Sequence, residues 1–206
     1  MNNIEKLIEM FRSFPGIGPR QAKRFVYFLL ARTNGYNKEL GRLIQNIQSE
    51  VSTCSKCFRF FTPDSKSQIS LCQICKSQKR DDSQLLIVPH DVDFENMDKS
   101  GGYNGYYFIL GGTVPILDKN PEQKIRQTEL LKVLDEKSKN GLKEIIVAMN
   151  YNPEGEHTFS YLNSLLAPFC QKYSVKISTL GRGLSTGTEL EYSDSETIKN
   201  ALKNRS

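Results

Sequence analysis

The chain has 206 residues, of which 38% are hydrophobic and 25% are charged. This composition is typical of a soluble globular protein and excludes a disordered or fibrous one. No apolar run approaches the roughly 20 residues of a membrane span, and residues 1–6 lack the features of a secretory signal, so we expect a cytoplasmic protein. The net charge of +5 favours a polyanionic partner, although an ordinary lysine-rich surface would give the same excess.

Three amphipathic helices are predicted in the first third of the chain. Apolar residues at helical spacing indicate helices over 4–14 and 19–32, and Pro15 ends the first of them. Pro19 suits the first turn of the second helix. A third helical pattern, over 40–51, leads into a cysteine-containing stretch.

After residue 80, short apolar runs alternate with helical patterns over 122–138 and 158–173. Such runs suit strands that are covered on both faces. Their alternation with helices predicts an α/β domain with a mainly parallel sheet. The predicted strands cover residues 85–88, 106–110, 144–148 and 175–180.

Four cysteines form two knuckles, Cys54-x-x-Cys57 and Cys72-x-x-Cys75, which are fourteen residues apart. Paired thiolates at this spacing predict one tetrahedral Zn²⁺, and because the protein fills all four positions the site is expected to be structural. Two disulfides or free thiols are the alternative, which a reducing compartment disfavours. Cys170 has no such partner and is expected to be a small buried hydrophobic residue.

A turn with two glycines, Gly16 and Gly18, joins the first two predicted helices. The amide groups at the start of a helix attract phosphate. Arg20, Lys23 and Arg24 follow at spacings of three and four, so they share one helix face. These five residues are predicted to bind the DNA backbone, in the manner of a helix-hairpin-helix motif; a plain helical turn with a solvated charged face is the alternative.

The order of these parts resembles the RecR family of bacterial recombination mediators over the whole chain. The motifs that carry the resemblance are 14–20, the two cysteine knuckles, 148–150 with 154–156, and 187–192. The resemblance implies a multi-part fold: a helix-hairpin-helix domain over 1–53, a four-cysteine zinc finger over 54–80, a Toprim α/β domain over 81–180 and a C-terminal segment over 181–206.

By this resemblance, catalytic Toprim enzymes use a glutamate after the first strand as acid or base, and an Asp-x-Asp pair after a later strand to hold magnesium. Here the corresponding positions are Pro89, Asn150 and Asn152. Amides are poor ligands for this small, hard ion, so we expect no catalysis. Weak metal binding stays open, because the acidic residues Asp91, Asp93, Glu154 and Glu156 are nearby.

Several other positions bear on the resemblance. Pro89, the loop 113–118 and Ser185 depart from the usual pattern of the family. The resemblance implies partner docking at Asn150, Glu154 and Glu156, on the acidic face that these departures alter. The roles of Glu189 and Glu191 stay open. The only two histidines, His90 and His157, have no serine or cysteine nucleophile near them in sequence, so no hydrolase triad is expected.

The resemblance implies a homodimer or homotetramer that encircles DNA without reading its sequence. With RecO, and with RecF as a further partner, it would load recombinase onto gapped or single-stranded DNA at the bacterial nucleoid. Two other functions compete with this interpretation. One is a magnesium-dependent Toprim nuclease or primase, and the other is a zinc module that binds proteins or RNA.

Overall fold

The computed structural model describes residues 1–63, 70–117, 120–181, 193 and 195–203. It divides into two compact units, Met1–Ser52 and Thr53–Ser206. The finer division of the second unit stays a prediction. Among the described helices, none combines the length and the hydropathy that crossing a bilayer requires.

The first unit contains helices α1 (Asn3–Arg12), α2 (Pro19–Leu30) and α3 (Asn34–Glu50). Side chains mark where two of them begin: Asn2 forms a capping box with Glu5, and Thr33 accepts the amide hydrogen of Tyr36. Only Ala22 and Val26 are fully buried in this unit. Its interior is therefore very small.

The second unit begins with the cysteine-containing stretch. Strands β1 (Ser52–Thr53) and β2 (Phe60–Phe61) form a two-stranded sheet, and the short helix α4 (Gln73–Lys76) follows.

A four-stranded parallel sheet follows in the same unit, with strands β3 (Asp81–Val88), β4 (Gly105–Ile109), β5 (Glu144–Val147) and β6 (Lys176–Thr179) in the order β4-β3-β5-β6. Ile87 lies opposite Phe108 on one side and Val147 on the other. The connecting helices are α5 (Asp91–Lys99), a 3₁₀ turn (Pro121–Gln123), α6 (Gln127–Ser138) and α7 (Pro153–Tyr173), and α8 (Ser195–Lys203) follows the sheet.

Both faces of this sheet are covered, which confirms the prediction from the apolar runs. On one face Leu85 and Ile87 belong to a cluster with Leu130 of α6 and Leu162 of α7. On the other face the cluster includes Leu86, Val88, Tyr107, Ile109, Phe94 of α5 and three of the cysteines. The cysteine stretch therefore shares its core with the sheet.

Other details differ from the sequence-based expectations. Helix α5 was not predicted. Helix α7 begins at Pro153, five residues before the expected start, and β3 begins at Asp81. Cys170 is only partly buried, at the edge of the first cluster. Asp118, Ser185, Glu189 and Glu191 lie outside the described residues.

Candidate nucleic-acid interface and metal site

The turn between α1 and α2 presents its backbone to solvent. Gly16 has φ +75°, a conformation that glycine adopts without strain. Gly18 is the N-cap of α2, and it provides no side-chain hydrogen bond to the first amide groups of the helix. A Cβ atom on either glycine would meet nothing within 4 Å. A ligand backbone can therefore approach this turn closely.

Three cations project from the exposed face of α2 just beyond the turn. Arg20, Lys23 and Arg24 are all exposed, and Arg24 contacts Gln21 at 3.4 Å. Within the described part of the chain, Arg20 and Lys23 make no hydrogen bond or ion pair. By contrast, Arg12 pairs with Glu9 and Arg42 pairs with Glu39, both at 2.7 Å. The structure brings together the five residues predicted to bind DNA.

The charge of the chain is concentrated in this first unit. Residues 1–52 contain eight lysines and arginines but four glutamates, and so carry most of the net charge of +5. The second unit is close to neutral. An excess of positive charge around the hairpin raises the local concentration of a polyanion.

The four cysteines of the two knuckles converge in the second unit. Their sulfur atoms all lie within 4.8 Å of one another, and those of Cys57 and Cys72 are 3.6 Å apart. Tetrahedral zinc with bonds of about 2.3 Å places its sulfur ligands about 3.8 Å apart. Cys54, Cys57 and Cys72 are buried and Cys75 is partly buried. The donor set and its dimensions therefore fit one Zn²⁺.

Backbone hydrogen bonds hold the first knuckle in position. The amide of Cys54 donates to the carbonyl of Arg59, and the amide of Phe58 donates to that of Cys54, both at 2.9 Å. Phe58 has φ 62°, an unusual value for a bulky residue. The amide of Cys72 points at the sulfur of Cys54 at 3.4 Å. Such N–H···S contacts favour a thiolate.

The four sulfur atoms are close enough to shift the pKa values of one another's thiols. Hydrogen bonds from Cys57, Cys72 and Cys75 lower the pKa of the Cys54 thiol far below its usual range. The hydrogen bond with Cys54 raises the pKa of Cys57. The shifts therefore favour the thiolate at Cys54 and the protonated thiol at Cys57. Zinc binds the thiolate form, so a bound metal would displace the remaining protons.

The positions that the sequence resemblance matched to the catalytic site of Toprim enzymes follow the carboxyl ends of β3 and β5. The side-chain oxygen of Asn152 accepts the amide hydrogen of Gly155 at 2.7 Å, so this residue is the N-cap of α7. Glu154 accepts a short hydrogen bond from the hydroxyl of Thr113. Asn150 and Glu156 line one cavity of about 130 Å³. The sheet thus brings Asn150 and Glu156 together and turns Glu154 toward the Thr113 loop.

The two aspartates after β3 accept hydrogen bonds from backbone amide groups. Asp91 accepts the amide hydrogen of Phe60 at 2.7 Å, which ties the cysteine stretch to the start of α5. Asp93 accepts the amide hydrogen of His90 at 3.1 Å in a capping box. Both carboxylates therefore have structural partners.

Sequence reasoning missed one residue that links these parts. The Arg126 guanidinium donates from Nη1 to the carbonyl oxygens of Phe58, at 3.1 Å, and Ile109, at 2.9 Å. It therefore joins the first knuckle to strand β4. Its position before α6 gives no local signal of this role, since the two acceptors are 68 and 17 residues away in sequence.

Comparison with known families agrees with this arrangement. The RecR helix-hairpin-helix model matches residues 4–48, a Toprim domain model matches residues 83–180, and the RecR C-terminal model matches residues 183–206.

Curated relatives named Recombination protein RecR match nearly the whole chain. The protein of Dehalococcoides mccartyi is 36% identical, over 98% of this chain and 93% of the relative. That of Chloroherpeton thalassium is 35% identical, over 98% and 96%. That of Chlorobium luteolum is 33% identical, over 100% and 97%. With its hairpin, its four-cysteine cluster and its parallel Toprim sheet, the chain belongs to the RecR family.

Proposed function

We propose that this chain serves recombinational DNA repair as a non-catalytic mediator that binds the backbone of double- and single-stranded DNA. The observation that carries the proposal is the exposed cationic face of Arg20, Lys23 and Arg24 beside the uncapped start of α2. Amide groups at a helix start and flexible cations both bind phosphate and carry no information about base sequence. Binding is therefore strong at low salt and independent of sequence.

The cysteine cluster would hold one structural Zn²⁺ through Cys54, Cys57, Cys72 and Cys75. The dimensions of the cluster support this assignment. The ion would stabilise a stretch that places only a few apolar side chains in the core, and it has no reacting role here because the protein supplies all four ligands.

The absence of catalysis is proposed from the side chains at the carboxyl ends of the strands. Asn152 caps a helix, while Asp91 and Asp93 accept backbone amide hydrogens. Toprim enzymes hold magnesium for phosphoryl transfer with carboxylates, and amides replace two of these at Asn150 and Asn152. Asn150, Glu154 and Glu156 would instead form a polar surface that binds RecO. RecF would be a further partner.

The first unit supports assembly into a homodimer or homotetramer that encloses DNA as a ring or clamp. A strongly apolar groove of about 380 Å³ opens on it. A second copy would cover this groove and bring further hairpins to the same DNA, which raises affinity through multivalency. The groove is lined mainly by Ile4, Leu7, Phe11, Leu29, Leu40 and Ile44.

DNA binding is tested by fluorescence anisotropy with a labelled duplex at several salt concentrations. For Arg20→Ala/Arg24→Ala we expect weaker binding and a salt slope lower by about 2, because each phosphate contact contributes about 0.9. The matched control is Arg12→Ala/Arg42→Ala, which removes the same charge from cations that already pair with Glu9 and Glu39. Equal slopes for the two double variants, or cleavage of the duplex by the wild type with Mg²⁺, would contradict the proposal.

A further inference from the structure

An exposed tyrosine lies at the end of the cationic face of α2, one turn beyond Lys23 and Arg24. Tyr27 follows Lys23 by four residues and Arg24 by three, so the three side chains are neighbours on the helix surface. It is seven residues from Arg20, or about 10 Å along the axis at 1.5 Å per residue. The buried residues of the helix, Val26 and Ala22, lie about 100° and 140° around the axis from Tyr27.

In the described residues the ring of Tyr27 packs against no other ring and no cation, in contrast to the ring of Phe28. Its exposed fraction is 63%, and within the described residues it makes no ring contact or side-chain hydrogen bond. Phe28, the next residue, holds the Arg32 guanidinium 4.2 Å from its ring centre and packs edge-on against Tyr36. One face of Phe28 is therefore already covered, whereas no ring or cation covers Tyr27 in the described residues.

We propose that Tyr27 is a stacking platform for an unpaired base of single-stranded DNA whose phosphates are held by Arg20, Lys23 and Arg24. Proteins that bind single strands combine a cationic track for the backbone with aromatic rings for the bases. In a duplex the bases are stacked on each other, so this ring has no base face to contact there. The inference rests on the proposed DNA binding and adds to it a preference for unpaired strands.

Charge complementarity selects nucleic acid over an apolar protein partner at this position. On the side of Tyr27 that faces the turn, its helix neighbours are the cations Lys23 and Arg24. The side chains of Arg20 and Lys23 have no acidic partner in the described residues. An apolar protein surface placed over them would bury those charges unpaired, which is costly. A DNA strand supplies both the phosphates and the flat base that this face matches.

The first test compares Tyr27→Leu with Tyr27→Phe for binding to oligo-dT and to a duplex of the same length. Leucine keeps an apolar side chain without a π face, whereas phenylalanine keeps the ring. We expect Tyr27→Leu to weaken oligo-dT binding by about fivefold or more, with the duplex affinity and both salt slopes unchanged. Tyr27→Phe should bind as the wild type does.

The second test uses the absence of tryptophan from this chain. Tyr27→Trp introduces a single reporter whose emission a stacked base quenches. Quenching is expected with oligo-dT but not with an abasic strand of the same length or with duplex. Tyr151→Trp, at a tyrosine that is 50% exposed in the second unit, is the matched control and should not respond.

The outcomes separate this inference from the proposal on which it rests. If Tyr27→Leu binds oligo-dT as tightly as the wild type, or loses duplex affinity equally, or if Tyr27→Trp is not quenched, the stacking role is wrong while backbone binding stands. Wild-type protein that binds neither DNA form at low salt would overturn both.

Discussion

The amide of Ile109 donates a hydrogen bond of 2.8 Å to the carbonyl oxygen of Cys57. Strand β4 is at one edge of the parallel sheet, so the first cysteine knuckle pairs an edge group that would otherwise be open to another strand. Three cysteines also belong to the same hydrophobic cluster as Leu86, Val88 and Ile109. The metal site and the sheet are therefore expected to lose structure together.

Metal removal should destabilise the whole second unit. We expect Cys57→Ser, or treatment with a strong chelator, to lower the free energy of unfolding by more than about 3 kcal/mol, since structural zinc contributes on the order of 10 kcal/mol. Metal analysis and thermal unfolding followed by circular dichroism measure the effect. Cys170→Ser, outside the cluster, is the control. An unchanged spectrum and melting temperature after complete chelation would rule out the metal-dependent core.

Arg126 should contribute to the same junction without touching the metal. Arg126→Met removes two charged hydrogen bonds, to Phe58 and Ile109, and leaves their carbonyl groups without this donor. We expect a loss of about 2 to 4 kcal/mol in urea unfolding. Lys132→Met, on the exposed side of α6, removes the same charge and should change stability by less than about 0.5 kcal/mol. Similar losses for both variants would contradict the assignment.

Gly155 lies in the first turn of α7, where the backbone of Asn150 leaves no room for a side chain. An added Cβ atom would overlap the backbone carbonyl oxygen of Asn150, which cannot move aside as a flexible side chain does. We expect Gly155→Ala to cost more than about 3 kcal/mol of folding stability. Gly41→Ala, in α3 with nothing within 4 Å of the new carbon, should instead gain about 0.5 to 1 kcal/mol. Chemical denaturation of the two variants is the measurement; a harmless Gly155→Ala would mean that the turn relaxes.

Tyr103 should make stability fall at alkaline pH. Burial raises the pKa of this phenol above its ordinary value, and the hydroxyl donates to the carbonyl of Tyr106 at 3.0 Å. A raised pKa in the folded state means that its contribution is complete below the unfolded pKa of about 10 and is lost as pH rises through the folded value.

Urea unfolding between pH 8 and pH 11 tests whether the free energy of unfolding falls as pH rises. Tyr103→Phe removes the titrating group, so its stability should be lower than that of the wild type at pH 8 and should decline less steeply above pH 10. Parallel curves for the two proteins would show that Tyr103 does not contribute to the decline.

Short sequence patterns were enough to predict the cysteine cluster, the cationic face after the glycine turn and the buried strands. Paired cysteines predicted the cluster, because thiolates at that spacing have few other uses. Glycines and basic residues at helical spacing predicted that residues 16–24 would present one exposed cationic face. The apolar runs predicted buried parallel strands, since both faces of each are covered.

The starts of α5 and α7 were missed although capping residues mark them, and the long-range contacts were missed because no local signal marks them. Helix α5 has mostly polar residues, and its capping box between His90 and Asp93 was the signal to notice. Asn152 and Pro153 marked the start of α7 as cap and first residue. The strand order, and the contact of Arg126 with Phe58, join residues far apart in sequence and have no local pattern.

The small interior of residues 1–52 has a consequence for the cell. With two side chains fully enclosed, this part of the protein cannot draw much folding free energy from its own contacts. Whatever covers its apolar groove would also favour the ordered hairpin, because a ligand that binds only the folded form shifts the equilibrium toward it. If a second copy covers the groove, as proposed above, the number of ordered hairpins would depend on the concentration of the chain, and a modest drop in expression would weaken DNA binding more than in proportion.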